Sequence, residues 1–326
     1  MTASVDKPLL SVVITTYNRA HLLGRAIQSV LNQRFSAFEL LIVDDHATDN
    51  TAQIVAQWDD PRIRYLRLAE NRGASAARNC GIRAAKAEFI TFLDDDDEFL
   101  PDALLELYQA LSSAPDTVGY IIGGIIRMID TPQGEVMVHT YQPHIPPAPN
   151  REAAYLQFLH KAPFGTGYGA TFRRRVFDVV GLFDEQLWTA EDSDLFLRLV
   201  LHFDLMVIDK LVVRVHRHNA PQLTDPSLKR ATALERISQK HLDTLRRHPR
   251  LYSYQSYTLA LAYYRCNAKT EARRAFWRAA RLYPFHCGKV WLAFLCYELF
   301  QVSPGQIRQR MWPRRITAQF LLDKYR

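Results

Sequence analysis

The sequence predicts an α/β fold, in which a mostly parallel β-sheet carries helices on both faces and is followed by an all-α helical extension. Short apolar, β-branched segments alternate with helical segments through the first hundred residues. Such alternation is typical of parallel strands joined by right-handed crossovers. From about residue 227 the pattern becomes helical and strongly basic.

The distribution of charge divides the chain at the same place. The net charge of the 326 residues is +7. Residues 1–226 carry 21 basic and 29 acidic side chains, whereas residues 227–326 carry 20 basic and only 5 acidic ones. Segments of opposite charge indicate different functions. We therefore expect a sheet-containing domain at 1–226 and a basic helical domain at 227–326.

The composition fits a globular protein, with 48% hydrophobic and 11% aromatic residues. No secretory signal is expected, because the N-terminus lacks a basic flank followed by a long apolar run. The longest apolar segment, 290–300, is about half the length that spans a bilayer. The four cysteines form no CxxC pair and are expected to be free thiols. These features predict a cytoplasmic protein. Peripheral attachment to the inner face of the cell membrane is compatible with them.

The predicted elements before residue 88 are three strands, each followed by a helix. Strand 9–16 (LLSVVITT) precedes a one-sided apolar helix, strand 38–43 (FELLIV) precedes a polar turn and a helix from residue 51, and strand 63–68 precedes a small-residue helix at 74–87. Ligands of parallel sheets bind outside the carboxyl ends of the strands. We therefore expect Tyr17, Asp45 and the acidic run at 94–97 to meet in one crevice.

The fourth predicted strand, 87–93 (AEFITFL), leads directly into four adjacent aspartates. No Lys or Arg stands beside them in the sequence, and neighbouring like charges repel one another. A divalent cation, Mn²⁺ or Mg²⁺, is the simplest relief, because both ions take carboxylate oxygens. The alternative is a solvated turn before the helix predicted at 102–111.

The remaining elements of the first domain are less regular. A long strand at 118–129 is predicted to pair with 135–141 across a TPQG turn, and the proline-rich segment 142–150 is predicted to be extended. Glycines at 163–171 would let the backbone approach a ligand closely. A helix with Asp192 at its start precedes a last strand at 212–218.

Five of these segments together resemble the family 2 glycosyltransferases, inverting enzymes with the GT-A fold. They are TTYNR, VDDHATDNT, ENRGASAARNCGI, FLDDDDE and GLFDEQLWTAEDSDLFLRL, and the resemblance covers roughly residues 8–220. It implies a Rossmann-like catalytic domain at 1–226. The implied reaction moves a sugar from a nucleoside-diphosphate sugar, most readily a UDP-sugar, to a hydroxyl of a glycan or lipid-linked acceptor. The implied chemistry is a metal-assisted, single in-line displacement.

The resemblance also implies a donor site. Its residues are Thr15, Tyr17, Asp45, Arg72, Arg78, Asp94 and Asp95. Tyr17 would stack on the base, and Asp45 would accept a hydrogen bond from the ring N–H of uracil, thymine or guanine. For Asp45 the role of turn residue or helix cap remains open, as does a surface position for the two arginines.

The metal would be Mn²⁺ or Mg²⁺, with Asp96 as the direct ligand. Asp94 would lie near the ribose or the metal, and Asp97 would orient its neighbours. His216 is a further candidate ligand, because a histidine in this region binds the metal in some GT-A enzymes. A neutral histidine on phosphate and an ordinary surface histidine remain alternatives.

Asp192 matches the general base of the family, with Glu191 supporting it. A carboxylate at a helix N-terminus is favoured in its ionised form, which is the form that can accept a proton from an acceptor hydroxyl. Simple capping of the helix is the alternative. Trp188 is a candidate for stacking on an acceptor sugar, with a core position as the alternative.

The basic domain contains one pair of segments with tetratricopeptide-like spacing, at 259–263 and 272–284. Such a unit alone leaves an apolar face to be covered. The segments 289–300 and 308–315 combine tryptophans with arginines, which favours contact with an anionic membrane surface. No nucleic-acid partner is expected, because the first domain is acidic and no nucleic-acid motif occurs.

Two other functions remain open. A sugar-nucleotide nucleotidyltransferase would use a similar sheet and metal, but the glycine-rich phosphate loop that it needs is missing after Thr16. A catalytically inactive sugar-binding adaptor would not need Asp45, Asp96 and Asp192, all of which are present.

Overall fold

The computed structural model describes residues 7–131, 134–160, 165–217 and 227–283. The chain falls into two compact units, Met1–Gln222 and Leu223–Arg326. The predicted surface helices at 289–300 and 308–315 lie outside the described residues, as do Cys287 and Cys296. No helix within the described ranges combines the length and the apolar character needed to cross a bilayer.

Within the described residues of the first unit, nine strands form one mixed sheet. They are β1 (Leu10–Thr16), β2 (Phe38–Asp44), β3 (Ile63–Arg67), β4 (Phe89–Asp94), β5 (Glu98–Phe99), β6 (Val118–Thr131), β7 (Gly134–Tyr141), β8 (Thr171–Arg173) and β9 (Asp204–Arg217). Their order in the sheet is β3-β2-β1-β4-β8-β6-β9-β5, and β7 pairs with β6.

The helices follow the same chain order. Those of the first unit are α1 (Ala20–Leu31), α2 (Thr51–Val55), α3 (Gly73–Ala84), α4 (Ala103–Ser113), α5 (Arg151–His160), α6 (Val176–Val180) and α7 (Glu191–Leu199). Those of the second unit are α8 (Leu228–Lys240), α9 (Leu242–Arg247), α10 (Pro249–Arg265) and α11 (Lys269–Leu282).

The predicted α/β class with a helical extension is confirmed, and β1 to β4 form the predicted parallel layer. The other half of the sheet is mixed, because β8 runs antiparallel to both β4 and β6. The last strand begins at Asp204 rather than at residue 212, because it pairs along most of the long β6. The second helix is only five residues long.

The alternation of side chains along β1 fixes the helices on the two faces of the sheet. Val12 and Ile14 share a core cluster with Leu23 and Ile27 of α1. Val13 points to the opposite face, where it meets α3 at Gly81. The parallel register places Thr15 beside Asp94, and Thr16 beside Asp44. The carboxyl ends of β1, β2 and β4 therefore open at one edge of the sheet.

The second unit contains the predicted pair of helices, α10 and α11. They share an apolar cluster that includes Leu259, Tyr263 and Phe276. Ala231 of α8 belongs to the same cluster, with Leu234 packed against it. The apolar face that a lone helical pair would leave open is therefore covered in part by α8, which the sequence spacing did not indicate.

The close contact of α3 with β1 leads to a stability prediction. A Cβ added at Gly81 would lie 2.4 Å from Val13 Cγ1 and 3.1 Å from Cγ2. Valine in a strand is stiff about its first side-chain torsion, so the helix must move. We expect Gly81→Ala to lower the free energy of unfolding by about 1–3 kcal/mol, as measured by urea denaturation. The matched control is Gly24→Ala in α1, where an added Cβ meets nothing within 4 Å. The control should be neutral or stabilising by up to ~1 kcal/mol, and equal effects of the two substitutions would contradict the packing account.

Candidate active site

The acidic run lies at the carboxyl end of β4, largely enclosed by protein. Asp95, Asp96 and Asp97 are each less than a tenth exposed, whereas the side chain of Asp94 is 39% exposed. Asp94, Asp96 and Asp97 each offer one carboxylate oxygen within 4.8 Å of the others. Burial raises the pKa of Asp97 well above its usual range, and the charges of Asp94 and Asp96 add to this effect. The alternative of a solvated aspartate turn is therefore wrong.

Two arginines pair with carboxylates of the acidic run, although none stands beside it in the sequence. Arg19, just after β1, donates through Nη1 to Asp95 Oδ1 at 3.0 Å and to Asp96 Oδ2 at 2.9 Å. Arg78 donates to Asp94 Oδ1 at 3.2 Å. The four aspartates therefore have no basic neighbour along the sequence, but they have basic neighbours in the folded protein. Burial raises the pKa of Asp95 to about 6, although the charge of Arg19 opposes the shift.

Arg78 connects the acidic run to the start of α7. Its guanidinium donates through Nη1 to Glu191 Oε1 and through Nη2 to Asp94 Oδ1. The residue is only 5% exposed, and its guanidinium lies 5.6 Å from the centroid of the Phe183 ring. Burial alone would lower the pKa of Arg78, but the charges of Glu191 and Asp94 raise it. The alternative of an ordinary surface charge is therefore wrong for Arg78.

Asp192 lies beside this pair, in the first turn of α7. The N-cap residue of the helix is Ala190, in the left-handed conformation with φ +60°, and no side chain caps it. Asp192 Oδ1 accepts the Ser193 N–H at 2.7 Å. Desolvation by the surrounding protein and the charge of Glu191 raise the pKa of Asp192 to about 6, against the charge of Arg78. The expected lowering by the helix N-terminus is outweighed, because a neighbouring carboxylate and burial act in the opposite direction.

The described part of the glycine-rich segment packs against these carboxylates. A Cβ added at Gly165 would come within 2.3 Å of Asp192 Oδ2, and one added at Gly167 would lie 3.2 Å from Asp94 Oδ2. Glycine allows the backbone to approach these carboxylates this closely, because it has no Cβ. Residues 163 and 164 of the predicted segment lie outside the described residues. The segment from 165 onward thus forms a wall common to the acidic run and to Asp192.

Asp45 accepts hydrogen bonds from the backbone of a neighbouring helix. Its two oxygens accept the backbone N–H groups of Arg72 and Gly73 at 2.8 and 2.7 Å, at the start of α3. Each carboxylate oxygen keeps a second lone pair for a ligand. Burial raises the pKa of Asp45, and these two backbone hydrogen bonds oppose the shift. Asp45 therefore joins the end of β2 to the start of α3, a contact that the sequence did not predict.

The other predicted donor residues border the same edge of the sheet. Tyr17 is 44% exposed, and Thr15 lies beside Asp94 in the register. The side chain of Arg72 is 55% exposed and pairs with Glu185 at 2.6 Å. Trp188 is 47% exposed, and an added Cβ at Gly73 would lie 3.2 Å from its indole ring. A core position for Trp188 is therefore wrong, and its ring packs against the start of α3.

His216 lies in a neighbouring cluster of charges rather than on the surface. It is 1% exposed; its Nε2 is 2.7 Å from Glu98 Oε1, and its Nδ1 is 3.4 Å from Glu135 Oε1. Arg25 pairs with Glu135 at 2.6 Å and donates to the main-chain oxygen of Asp96 at 3.0 Å. The backbone N–H of His216 donates to Asp97 Oδ1 at 2.9 Å. The alternative of a surface histidine is therefore wrong, and the imidazole faces Glu98 and Glu135.

The donor set of the acidic run fits a hard divalent cation. Asp94, Asp96 and Asp97 supply oxygen atoms, which Mg²⁺ and Mn²⁺ prefer. Arg19 contacts the same run and supplies positive charge from the segment just after the neighbouring strand β1. An anionic ligand placed here would meet cationic groups, while Asp192 packs against Gly165. The arrangement suits a reaction that separates an anionic leaving group from an attacking hydroxyl.

Sequence reasoning missed the roles of Arg19 and Arg25. Arg19 stands inside the TTYNR segment, and its position just after a strand that neighbours β4 was the available signal. Arg25 lies on α1 and is separated from Asp96 by 71 residues of sequence. No local pattern indicates such a contact.

Comparisons with known proteins identify the family of the chain. The family model "Glycosyl transferase family 2" matches residues 11–181. A relative named as a colanic acid biosynthesis glycosyl transferase, WcaA of Escherichia coli (strain K12), is 32% identical over 274 residues. The match spans 78% of this chain and 88% of that protein.

A second relative matches over a shorter region. The protein named UDP-Glc:alpha-D-GlcNAc-diphosphoundecaprenol beta-1,3-glucosyltransferase WfgD, from Escherichia coli, is 38% identical over 100 residues. These residues are 31% of this chain and 40% of WfgD, so the match covers less than half of that relative.

A solved structure shares the fold. The mannosyltransferase PcManGT from Pyrobaculum calidifontis, in complex with GDP-Man and Mn²⁺, superimposes with a TM-score of 0.55 at 19% identity. The superposition covers 92% of this chain and 84% of that protein. This superposition shows the fold. The match to the family model and the long alignment to WcaA establish the family. The chain belongs to glycosyltransferase family 2.

Proposed function

We propose that the chain is an inverting glycosyltransferase that moves a sugar from a nucleoside-diphosphate sugar to a hydroxyl of a glycan or lipid-linked acceptor. One observation carries the proposal. A single buried guanidinium, that of Arg78, contacts both Asp94 of the acidic run and Glu191 next to Asp192. Carboxylates suited to two different tasks therefore lie on either side of one guanidinium, and we assign the donor to the side of Asp94 and the acceptor hydroxyl to the side of Asp192.

Asp192 is the proposed general base, and Glu191 supports it. Its carboxylate lies against Gly165, where no side chain separates it from a ligand. A carboxylate whose pKa is raised toward neutrality is a stronger proton acceptor than an ordinary aspartate, and it remains mostly ionised at pH 7. Asp192 would take the proton of the acceptor hydroxyl while that oxygen attacks the anomeric carbon from the face opposite the leaving group.

The proposed donor site extends from Tyr17 and Asp45, which would contact the nucleotide base, to Asp94 and Asp96, which would lie near the diphosphate. Asp96 and Asp94 would hold Mn²⁺ or Mg²⁺, and the bound cation supplies charge neutralisation for the departing diphosphate. Arg19 would contribute positive charge to the same leaving group from the end of β1. His216 is a proposed further ligand, and Glu98 and Glu135 offer carboxylate oxygens within 4.8 Å of its ring nitrogen.

The proposed donor is a UDP-sugar, and the proposed acceptor is lipid-linked. WfgD is named for both a UDP-sugar donor and a diphosphoundecaprenol acceptor, which supports this choice. PcManGT was solved with GDP-Man and Mn²⁺, and guanine would suit the carboxylate of Asp45 as well as uracil. We further propose that the enzyme works at the inner face of the cell membrane, where the basic residues 227–326 contact an anionic surface and no nucleic acid.

The first prediction of the proposed function concerns the general base, Asp192. Asp192→Asn should bind the donor nearly normally and lose about 10²–10⁴-fold in turnover, since the amide cannot accept the proton. The measurement is nucleoside diphosphate released from a panel of sugar nucleotides with Mn²⁺, together with donor affinity. Asp178→Asn, at an exposed position of α6, is the matched control and should keep full turnover. Turnover of Asp192→Asn near that of the wild type would contradict the assignment.

The second prediction concerns pH. Asp192 must be ionised to act, and its pKa is raised to about 6, so kcat/KM should fall as the pH drops through about 6 rather than through about 4. Because the pKa of Asp95 is also raised to about 6, UDP affinity is measured over the same pH range to separate donor binding from proton transfer. A kcat/KM profile that stays flat down to pH 5 would contradict the role of Asp192.

The third prediction concerns the metal. UDP and Mn²⁺ together should raise the thermal midpoint more than either alone, because ligand binding to the folded state stabilises it. Asp96→Asn should abolish the increment that requires both, while Asp116→Asn, at a highly exposed position, should keep it. The same scan with GDP and dTDP identifies the base. An unchanged joint increment in Asp96→Asn would remove Asp96 from the metal site.

The two alternative functions have different outcomes in these assays. A nucleotidyltransferase would release pyrophosphate from a nucleoside triphosphate and a sugar phosphate. An inactive sugar-binding adaptor would show the thermal shift without release of nucleoside diphosphate under any acceptor condition.

A further inference from the structure

The outward face of α11 combines arginines with an exposed tryptophan. The opposite face of the helix is buried in the apolar cluster of the second unit. At 3.6 residues per turn, four exposed side chains lie within about 100° of arc, with the tryptophan near the middle. The α11 face, as we call it, consists of Arg273, Arg274, Trp277 and Arg281.

The charge of the surrounding unit is one-sided. Residues 227–283 contain 13 basic and 3 acidic side chains. Glu235 lies 3.6 Å from Arg278, and Asp243 lies 3.7 Å from Arg246, away from the α11 face. The third acidic residue, Glu271, lies in the first turn of α11 and outside this arc. The α11 face therefore contains three arginines and no acidic residue of its own.

Trp277 makes the α11 face more than a solvated basic surface. It is 45% exposed, and its ring packs edge-on against Phe276 at 6.2 Å between centroids. An amphipathic aromatic ring among arginines is typical of a surface at a lipid–water interface, since tryptophan settles at the level of the headgroups. Arginine stems can lie along apolar surface while their guanidinium groups hold lipid phosphates.

We propose that the α11 face binds the surface of an anionic bilayer, with α11 lying parallel to the membrane plane and Trp277 among the lipid headgroups. Anionic lipid is favoured over nucleic acid as the partner. A bilayer accommodates Trp277 as an aromatic anchor among its headgroups, and the sequence contains no recognised nucleic-acid motif. The proposal rests on the membrane contact proposed above for residues 227–326 and assigns it to one helix face, and it does not depend on the transfer reaction.

The test is vesicle sedimentation of the full chain without any sugar donor. Vesicles contain phosphatidylcholine alone or phosphatidylcholine with phosphatidylglycerol. Wild-type protein should bind only the anionic vesicles, and more weakly at high salt. Each basic residue near such a surface strengthens binding on the order of fivefold. The triple variant Arg273→Gln, Arg274→Gln, Arg281→Gln should therefore lose on the order of 100-fold in the partition coefficient.

The matched control removes the same charge elsewhere in the unit. Lys229→Gln, Arg246→Gln, Arg265→Gln changes three other exposed basic residues and should weaken binding much less than the first triple variant. Trp277→Gln should also weaken binding while both triple variants keep the wild-type circular dichroism spectrum. Subtracting the fluorescence of Trp277→Phe from that of the wild type should give a signal that shifts to the blue on anionic vesicles.

Three results would overturn the proposal. The first is no binding of the wild type to anionic vesicles. The second is equal losses in the two triple variants, which would mean that net charge and not the α11 face decides binding. The third is duplex DNA displacing the protein from vesicles at equal phosphate concentration. Nucleoside diphosphate release with a water-soluble acceptor should be the same in all these variants, so failure here is distinguishable from failure of the proposed transferase function.

Discussion

The buried guanidinium of Arg78 is the interaction on which the candidate site depends. It contacts the acidic run after β4 and the start of α7, which are separated by almost a hundred residues of chain. Without it, Asp94, Glu191 and Asp192 would face one another as like charges in a poorly solvated place. Removing one partner of a buried ion pair typically costs about 3–5 kcal/mol, because the other charge remains without compensation. The geometry of α7, and so of Asp192, is therefore tied to the acidic run.

A second arginine balances the other half of the acidic run. Arg19 lies 3.0 Å from Asp95 and 2.9 Å from Asp96, and both carboxylates are nearly buried. This concentration of acid is stable because the fold supplies its counter-charges from β1 and α3. Exposed pairs such as that of Arg72 with Glu185 contribute much less, about 0–1 kcal/mol. The ion pairs that matter are thus the enclosed ones, which also border the space proposed for the diphosphate and the acceptor hydroxyl.

Much of this arrangement could be predicted from the sequence, for a physical reason. Buried parallel strands have a strong apolar pattern, and parallel strands must open their carboxyl ends at one edge, so Asp45 and the acidic run had to converge. The short strands β5 and β8 escaped prediction because two or three residues carry no periodicity. The wall formed by Gly165 and Gly167 was indicated only as a place of close approach, and nothing in the sequence identified Asp192 and Asp94 as its neighbours.

Side-chain partners across the sheet were the least accessible part. Arg78 was expected near the nucleotide, but its burial and its contact with Glu191 depend on how α3 and α7 pack, which no local pattern records. The pKa of Asp192 shows the same limit. The position at a helix start suggested a favoured ionised form, whereas enclosure beside Glu191 raises the pKa to about 6. Tertiary burial outweighs the local helix effect here.

The most direct test of the account is a double-mutant cycle between Arg78 and Glu191, read as the free energy of unfolding in urea. The variants are Arg78→Met, Glu191→Gln and the combination. If the guanidinium holds the two halves of the site together, the double variant should be less destabilised than the sum of the single variants by about 1–3 kcal/mol. Additivity within about 0.5 kcal/mol would show that the two residues act independently, and would contradict a site assembled around Arg78.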